Sequence, residues 1–209
     1  EETYPEAMDA VAYVLDLVAN APDKIFEKEL PHIVDMDIFY RWLTITALSG
    51  NFHQGNTANQ NWYHNPATGR LEPILFDTAL ASIETELSLA NNRLVSRAMR
   101  IPAFRGAFAA LLQAYLRDPS HKEKALGHYD ETFRLIRTDI VNDTKKIQTS
   151  ARVLQLIELE REVVAHNYDA LKDMLDKTGT IAFQFADETY PITEPFEKTR
   201  YRDSFLAHG

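Results

Sequence analysis

Prolines and capping residues stand at the starts of long runs whose apolar residues recur every three or four positions. That punctuation restricts the chain to a mainly helical fold. Thr3 and Glu6 have capping-box spacing with Pro5 in the first turn, predicting a helix to about Asn20 that buries Val11, Val14, Leu15 and Val18. A short helix near 23–28 follows. Asp35 then starts a stronger one, with Phe39, Trp42, Leu43, Thr46 and Ala47 on one face and Gly50 as its stop. From Asn92 onward the pattern is helical again. Arg93–Arg100 forms a short helix. Pro102 opens another to about Asp118, with Phe104, Phe108, Leu111, Leu112 and Tyr115 inward. Pro119 or Ser120 begins a third, with Leu126, Tyr129, Phe133, Ile136 and Ile140 inward. Ser150 begins the longest, burying Val153, Leu156, Ile157, Val163, Val164, Leu171 and Leu175.

One interruption breaks this series. Residues 60–65 and 70–76 read as two strands, joined by a four-residue turn from Pro66 to Gly69. Pro73 inside the second run marks it as short or as an edge. Thr180–Phe185 is a further strand candidate, and 188–209, with two prolines and many charges, reads as an extended tail. No internal repeat or low-complexity tract occurs. The expected organisation is one mainly α domain with a small β-hairpin (α+β) over 1–187, the hairpin lying near 59–77, and a tail over 188–209.

Composition removes several classes of function. The net charge of −9 opposes generic binding to a phosphate backbone, so nucleic acid is not expected as a partner. With no cysteine there is no disulfide, no thiolate catalysis and no thiolate-bound zinc. No run of about 18 apolar residues is present, so no membrane insertion through a helix is expected, and no signal peptide is seen. The chain opens Glu1-Glu2-Thr3 without an initiator Met, as expected for a piece of a longer protein, and localisation cannot be read from it.

Chemically useful side chains concentrate between Asn51 and Asp77. A loop holding Asn51, His53, Gln54, Asn56, Asn59 and Gln60 leads into the first strand at Asn61-Trp62-Tyr63. The second strand runs Ile74-Leu75-Phe76 directly into Asp77. A carboxylate and several amides at the mouth of a fold can hold a metal and phosphates. Each residue also has a plainer reading. Asp77 can cap the next turn through its own backbone, Asn61 can satisfy a loop carbonyl, and His53 can be hydrogen-bonded scaffolding. Asn51 and its amide neighbours can simply shape the loop. Trp62 and Tyr63 alternate across a strand, so only one of them faces the core, and His64 near the turn is expected to be exposed. Elsewhere, His121 and His128 are two helical turns apart, too far to share a metal, and His166 lies on a charged face. Arg93, Arg97 and Arg100 can gather a phosphate, or pair with Glu84, Glu86 or the acidic helices. Glu158, Glu160, Arg161 and Glu162 form a solvated helix face.

Taken together, these residues resemble the CotH family of atypical kinases, the spore-coat kinases. The resemblance is carried by Val34-Asp35-Met36-Asp37, Ala47-Leu48-Ser49-Gly50-Asn51, Asn61-Trp62-Tyr63, Asn65-Pro66-Ala67-Thr68-Gly69 and Glu72-Pro73-Ile74-Leu75-Phe76-Asp77. Asn92-Arg93-Leu94-Val95 and Pro102-Ala103-Phe104-Arg105 also fit, so about two thirds of the chain is covered. The resemblance implies the C-terminal lobe of a reduced protein-kinase-like fold, using Mg2+ (or Mn2+) and ATP to phosphorylate a protein Ser or Thr. It places Asp77 as the metal-binding Asp and Asn61 as its partner, with Asn51 as a further cofactor-binding residue. His53 stands where the family pattern has an Asp that orients the acceptor hydroxyl, and the loop after it is a few residues longer. An imidazole can accept a proton but cannot mimic a carboxylate facing magnesium. The ATP-gripping lysine of an N-terminal lobe is not expected among these residues, since Lys24 and Lys28 both fall in a helix, and the fragment alone is expected to be inactive. The alternative is a pseudokinase or helical protein-interaction module, which His53 favours. A metal-dependent hydrolase built on His53, His64 and Asp77 is a third class, without the short ligand spacing such sites use. The partners implied are a protein substrate or a coat or envelope protein, at the cell envelope, the spore surface or outside the cell. The oligomeric state is not implied.

Overall fold

Every described helix but the second begins and ends near where the sequence signals predict. In a computed structural model describing residues 5–50, 61–75, 92–185 and 188–193, the first is α1 (Pro5–Asn20). It is followed by α2 (Asp23–Ile33) and α3 (Met36–Ser49), and then by the strands β1 (Asn61–Asn65) and β2 (Arg70–Ile74). Four helices follow, α4 (Arg93–Arg100), α5 (Pro102–Arg117), α6 (Pro119–Asn142) and α7 (Ser150–Thr178), before β3 (Thr180–Phe185) and β4 (Glu188–Thr193). The fold is mainly α with a small antiparallel hairpin, as the sequence implies.

Side chains close the orphan donors of the helix N-termini. The Asp35 carboxylate accepts from Ile38 N at 3.1 Å, Asn92 Oδ1 from Val95 N at 3.0 Å, and Asp118 from Ser120 N at 2.9 Å. At the other end of α3, Gly50 takes the left-handed conformation at φ 63° and returns its N–H to the last turn. α3 carries β-branched residues that lower helix propensity, yet nine of its fourteen residues are buried. Burial dominates there, and Thr46 satisfies its hydroxyl on the Trp42 carbonyl at 2.8 Å.

The core is centred on α3 and α5. Phe39 and Leu43 from α3, Phe108 and Leu112 from α5, and Phe26 and Leu30 from α2 have no exposed surface. Phe39 stacks with Trp42 at 5.9 Å, and Phe26 meets Phe104 edge-on at 6.2 Å. The inward face predicted for α3 is buried in full.

Four expectations need correction. Leu15, expected on the buried side of α1, is 64% exposed, because α1 turns Val14 and Leu17 into the core. α2 does not stop near 28 but runs through Pro31 to Ile33, because Leu30 and Val34 are both buried and continuing the helix delivers them to the core. α6 buries none of its residues, and Ile136 is 44% exposed, the helix packing against α7 and α5 at the edge of the fold. The first half of α7 is likewise only half-buried, whereas Val163, Leu171 and Leu175 are buried. Finally, the segment expected to open the tail at 188 supplies β4, antiparallel to β3 with Thr180 opposite Thr193. Residues 194–209 lie outside the described residues. No described helix is long and apolar enough to cross a membrane.

Candidate functional site

The β1–β2 hairpin is fixed at three points. Its register pairs Asn61 with Ile74, Trp62 with Pro73, Tyr63 with Glu72, His64 with Leu71 and Asn65 with Arg70. At the turn, Gly69 adopts φ 67° and donates to the Asn65 carbonyl at 2.8 Å. The Asn65 side chain accepts from Ala67 N at 2.9 Å and donates to Glu72 at 2.7 Å, so its amide shapes the turn. At the back, buried Leu71 bridges to Val34, and its carbonyl accepts from Asp35 N at 2.9 Å. Asp35 thus ties the start of α3 to the hairpin with its N–H while its carboxylate caps the helix. A two-stranded sheet leaves each strand an edge, which is what Pro73 within β2 requires.

Alternation sorts the hairpin into two faces. Trp62, His64, Leu71 and Pro73 face the protein, and Trp62 packs on the core. Asn61, Tyr63 and Ile74 are exposed on the other face, Tyr63 by 47%. His64, expected to be exposed, is half-buried because it shares the Trp62 face.

Of the four candidate site residues, only Asn61 lies among the described residues. Asn51, His53 and Asp77 lie outside them, as do Glu84 and Glu86. The described residues nevertheless fix the anchors on either side. Residues 51–60 leave from the Gly50 cap of α3 and rejoin the chain at Asn61. Because Asn61 pairs with Ile74, residues 76–91 depart from that same open end of the hairpin and rejoin at Asn92. Among the described residues no cluster of three His, Asp or Glu side chains could hold a metal ion.

Of the arginine trio, Arg97 is taken up by packing between helices. Arg97 reaches from α4 to the C-terminal end of α1, donating to the carbonyls of Leu17 at 2.7 Å and Val18 at 2.6 Å, and also to that of Ala21. It meets the Asp23 carboxylate at 3.4 Å and lies 4.7 Å above the Phe26 ring. Arg97 is therefore a clasp between helices rather than a phosphate ligand. Arg93 is exposed on the same helix. His121 stacks on Tyr115 at 4.3 Å, a packing role that accounts for it without a metal.

The model of the family described as CotH kinase protein matches residues 1–180. The chain belongs to the CotH kinase protein family. No curated protein and no solved structure matches it. The CotH match spans every element from α1 to the end of α7, more than the two thirds that the motifs alone covered. Sequence reading missed one feature of this CotH chain, the clasp that Arg97 makes with the end of α1. The i, i+4 spacing of Arg93 and Arg97 was visible. The partner helix some eighty residues upstream was not.

Proposed function

We propose that this chain is part of an atypical protein kinase that moves the γ-phosphoryl group of ATP to a Ser or Thr hydroxyl of a protein, a coat or envelope protein being the expected acceptor. The observation that carries the reading is the joining of the 51–60 and 76–91 segments at one open end of a clamped hairpin, in a chain of the CotH family. Asn61 is exposed at that end. An amide oxygen there and the Asp77 carboxylate form the all-oxygen donor set that suits Mg2+ or Mn2+. The ion, when bound, neutralises charge on the phosphates. Asn51, which follows the Gly50 cap in the chain, is the further cofactor-binding residue of this reading. Tyr63 and Ile74 offer an apolar surface beside Asn61 on which a nucleotide base can lie.

In this reading the acceptor oxygen forms its bond to the γ-phosphorus as the bond to the β-phosphate bridging oxygen breaks. ADP leaves, and the hydroxyl proton passes to the His53 imidazole, which takes the place of the usual Asp. Catalysis comes from positioning and charge neutralisation, without a covalent intermediate. The second reading, a pseudokinase or helical interaction module, is favoured by that same imidazole, which cannot serve a magnesium ion as a carboxylate does. The test is label transfer from γ-labelled ATP by the intact protein with Mg2+ or Mn2+, beside Asp77→Ala, Asn61→Ala and His53→Ala. Transfer abolished in Asp77→Ala and weakened in Asn61→Ala supports the kinase. Absence of both transfer and a nucleotide-induced thermal shift in the wild type leaves the interaction module.

A further inference from the structure

The two edges of the β1–β2 hairpin differ. In an antiparallel pair one residue directs its N–H and C=O inward to the partner strand, and the next directs both outward. The Leu71 carbonyl accepts from Asp35 N, outside the hairpin, so Leu71 and Pro73 direct their backbone groups outward from β2. Their register partners, His64 and Trp62, then direct theirs outward from β1. Pro73 agrees with this phase, since it has no N–H to give to the ladder. The β2 edge is closed by the Asp35–Leu71 bond with its Val34 bridge, and by the Pro73 ring. β2 also lies against α1, α2 and α3, whereas the principal neighbour of β1 is β2. On β1 there is no proline, acidic or basic side chain, or bulge, the devices that normally guard an exposed edge. Among the described residues, none bonds the outward N–H or C=O of Trp62 or His64.

An open ladder specifies its occupant, because N–H and C=O groups repeating at alternate residues are matched by another extended backbone. A second copy of this chain fits poorly. The stretch from Trp62 to His64 spans about 7 Å, and pairing two such edges buries far less than the roughly 800 Å² per partner of a stable complex. We propose that the outer edge of β1 takes up an extended, proline-free segment of the acceptor protein as an added strand, with its Ser or Thr presented at the Asn61 end. The two residues of that segment that pair with Trp62 and His64 are separated by one residue and exchange backbone hydrogen bonds with them. The residue next beyond the partner of Trp62 stands level with Asn61, about 3.4 Å further along. Recognition through the backbone tolerates varied side chains, and so short a ladder holds weakly enough for a product to leave. Strand addition stands without any chemistry at Asn61; only the identity of the segment as an acceptor rests on the phosphoryl-transfer reading.

The probe is an array of synthetic Ser-containing dodecapeptides with varied flanks, bound by the intact protein without nucleotide. A subset lacking proline near the Ser should be captured. In a captured peptide, methylating single backbone nitrogens in turn should weaken binding by about tenfold or more at two positions separated by one residue, and by under about threefold at the position between them. His64→Pro removes an outward N–H and sets a ring on the edge while sparing the inner ladder, as Pro73 does on β2, so it should weaken capture by about tenfold or more. His64→Ala keeps the N–H and should stay within about threefold. No capture of any peptide, indifference to methylation at every position, or equal losses for His64→Ala and His64→Pro would overturn the proposal. The methylation scan decides the matter where His64→Pro fails to fold. Self-association that His64→Pro abolishes, without peptide capture, would overturn it in favour of a second copy. Capture through β1 with no label passing from ATP to the captured peptides would uphold strand addition and sink the phosphoryl-transfer reading instead.

Discussion

Removing Arg97 should unfasten α4 from α1 at a cost far above that of removing the exposed Arg93 on the same helix. Its guanidinium donates to three carbonyls at the α1 C-terminus and lies over Phe26, with its side chain only 16% exposed. A partly buried cation at a helix C-terminus contributes up to about 2 kcal/mol. Hydrogen bonds from a charged donor contribute about 1.5–3 kcal/mol each, far from additively when one group makes them all. The cation–π contact adds about 1 kcal/mol, and the exposed pairing with Asp23 adds little. Treated as one unit, Arg97→Ala should cost about 3–4 kcal/mol. Arg97→Lys keeps the charge but loses the planar fork, so about half of that loss should remain.

Arg93→Ala is the internal control, the same residue type four positions earlier on α4 but exposed, and it should cost under about 0.5 kcal/mol. Urea unfolding followed by far-UV circular dichroism reads the difference. With a slope of about 2–3 kcal/mol/M, Arg97→Ala should lower the midpoint by more than about 1 M relative to Arg93→Ala. Equal midpoints for the two alanine variants would refute the clasp, and would return Arg97 to the pool of residues free to meet a phosphate.

Gly50→Val should destabilise the protein by about 1–2 kcal/mol in thermal unfolding, because a β-branched residue is strained at φ 63°; an unchanged midpoint would show that the cap relaxes. Glu160, expected on a solvated helix face, is half-buried, and that burial pushes its carboxyl up, so its protonated form favours the fold. That contribution is present at acid pH and lost as pH rises through the raised value. Glu160→Gln should therefore raise the thermal midpoint at pH 7, with the gain vanishing near pH 4. The Tyr129 hydroxyl donates to the Ile157 carbonyl at 2.8 Å, and burial, with the nearby Glu160 charge, pushes the phenol from 10.0 to about 12. The wild type should accordingly lose stability as pH climbs between these two values. Tyr129→Phe should cost about 1 kcal/mol at pH 7 and flatten that alkaline loss. Leu135→Lys on the open side of α6 should cost under about 0.5 kcal/mol, against about 2–5 kcal/mol for Leu112→Ala in the core, and comparable losses would mean that α6 has a partner in solution.

Local signals in the sequence were enough to place the helices, because the physics that starts and stops a helix is local. Asp35, Asn92 and Asp118 cap with their own side chains, and Gly50 stops α3 by adopting a conformation other residues avoid. The misreadings all concern what an element packs against. Pro31 argues locally for an end to α2, but Leu30 and Val34 are buried by partners distant in sequence, and that burial outweighs the missing N–H. The periodicity of α6 correctly identifies an apolar face and says nothing of how much of that face is covered. Leu126, Tyr129, Phe133 and Ile140 end half-buried and Ile136 exposed because α6 lies at the edge of the fold, against α7 and α5. β4 was missed because a proline and a charge outweigh strand propensity in a six-residue window, whereas pairing with β3 is not a property of that window at all.

At the candidate site the same division holds, and it explains why residue types were readable where geometry was not. A carboxylate, an amide and an imidazole within one loop–hairpin–loop unit name a chemistry, and membership of the CotH family agrees with it. Phosphoryl transfer, however, depends on placement to a fraction of an ångström, and placement depends on the clamp behind the hairpin. That clamp uses residues with no chemistry of their own. Asp35 lends its N–H to Leu71 and its carboxylate to Ile38, Trp62 packs the back of β1 on the core, and Asn65 spends its whole amide on the turn. Asn65 and Asn61 are the same residue type four positions apart on one strand face. Their difference is that Asn65 has partners at 2.7 and 2.9 Å within the hairpin, while Asn61 is exposed at the end from which both flanking segments depart. In the proposed site the exposed Asn61, which the family resemblance singles out, is therefore the asparagine to test as a metal ligand, since the Asn65 amide is already engaged within the hairpin.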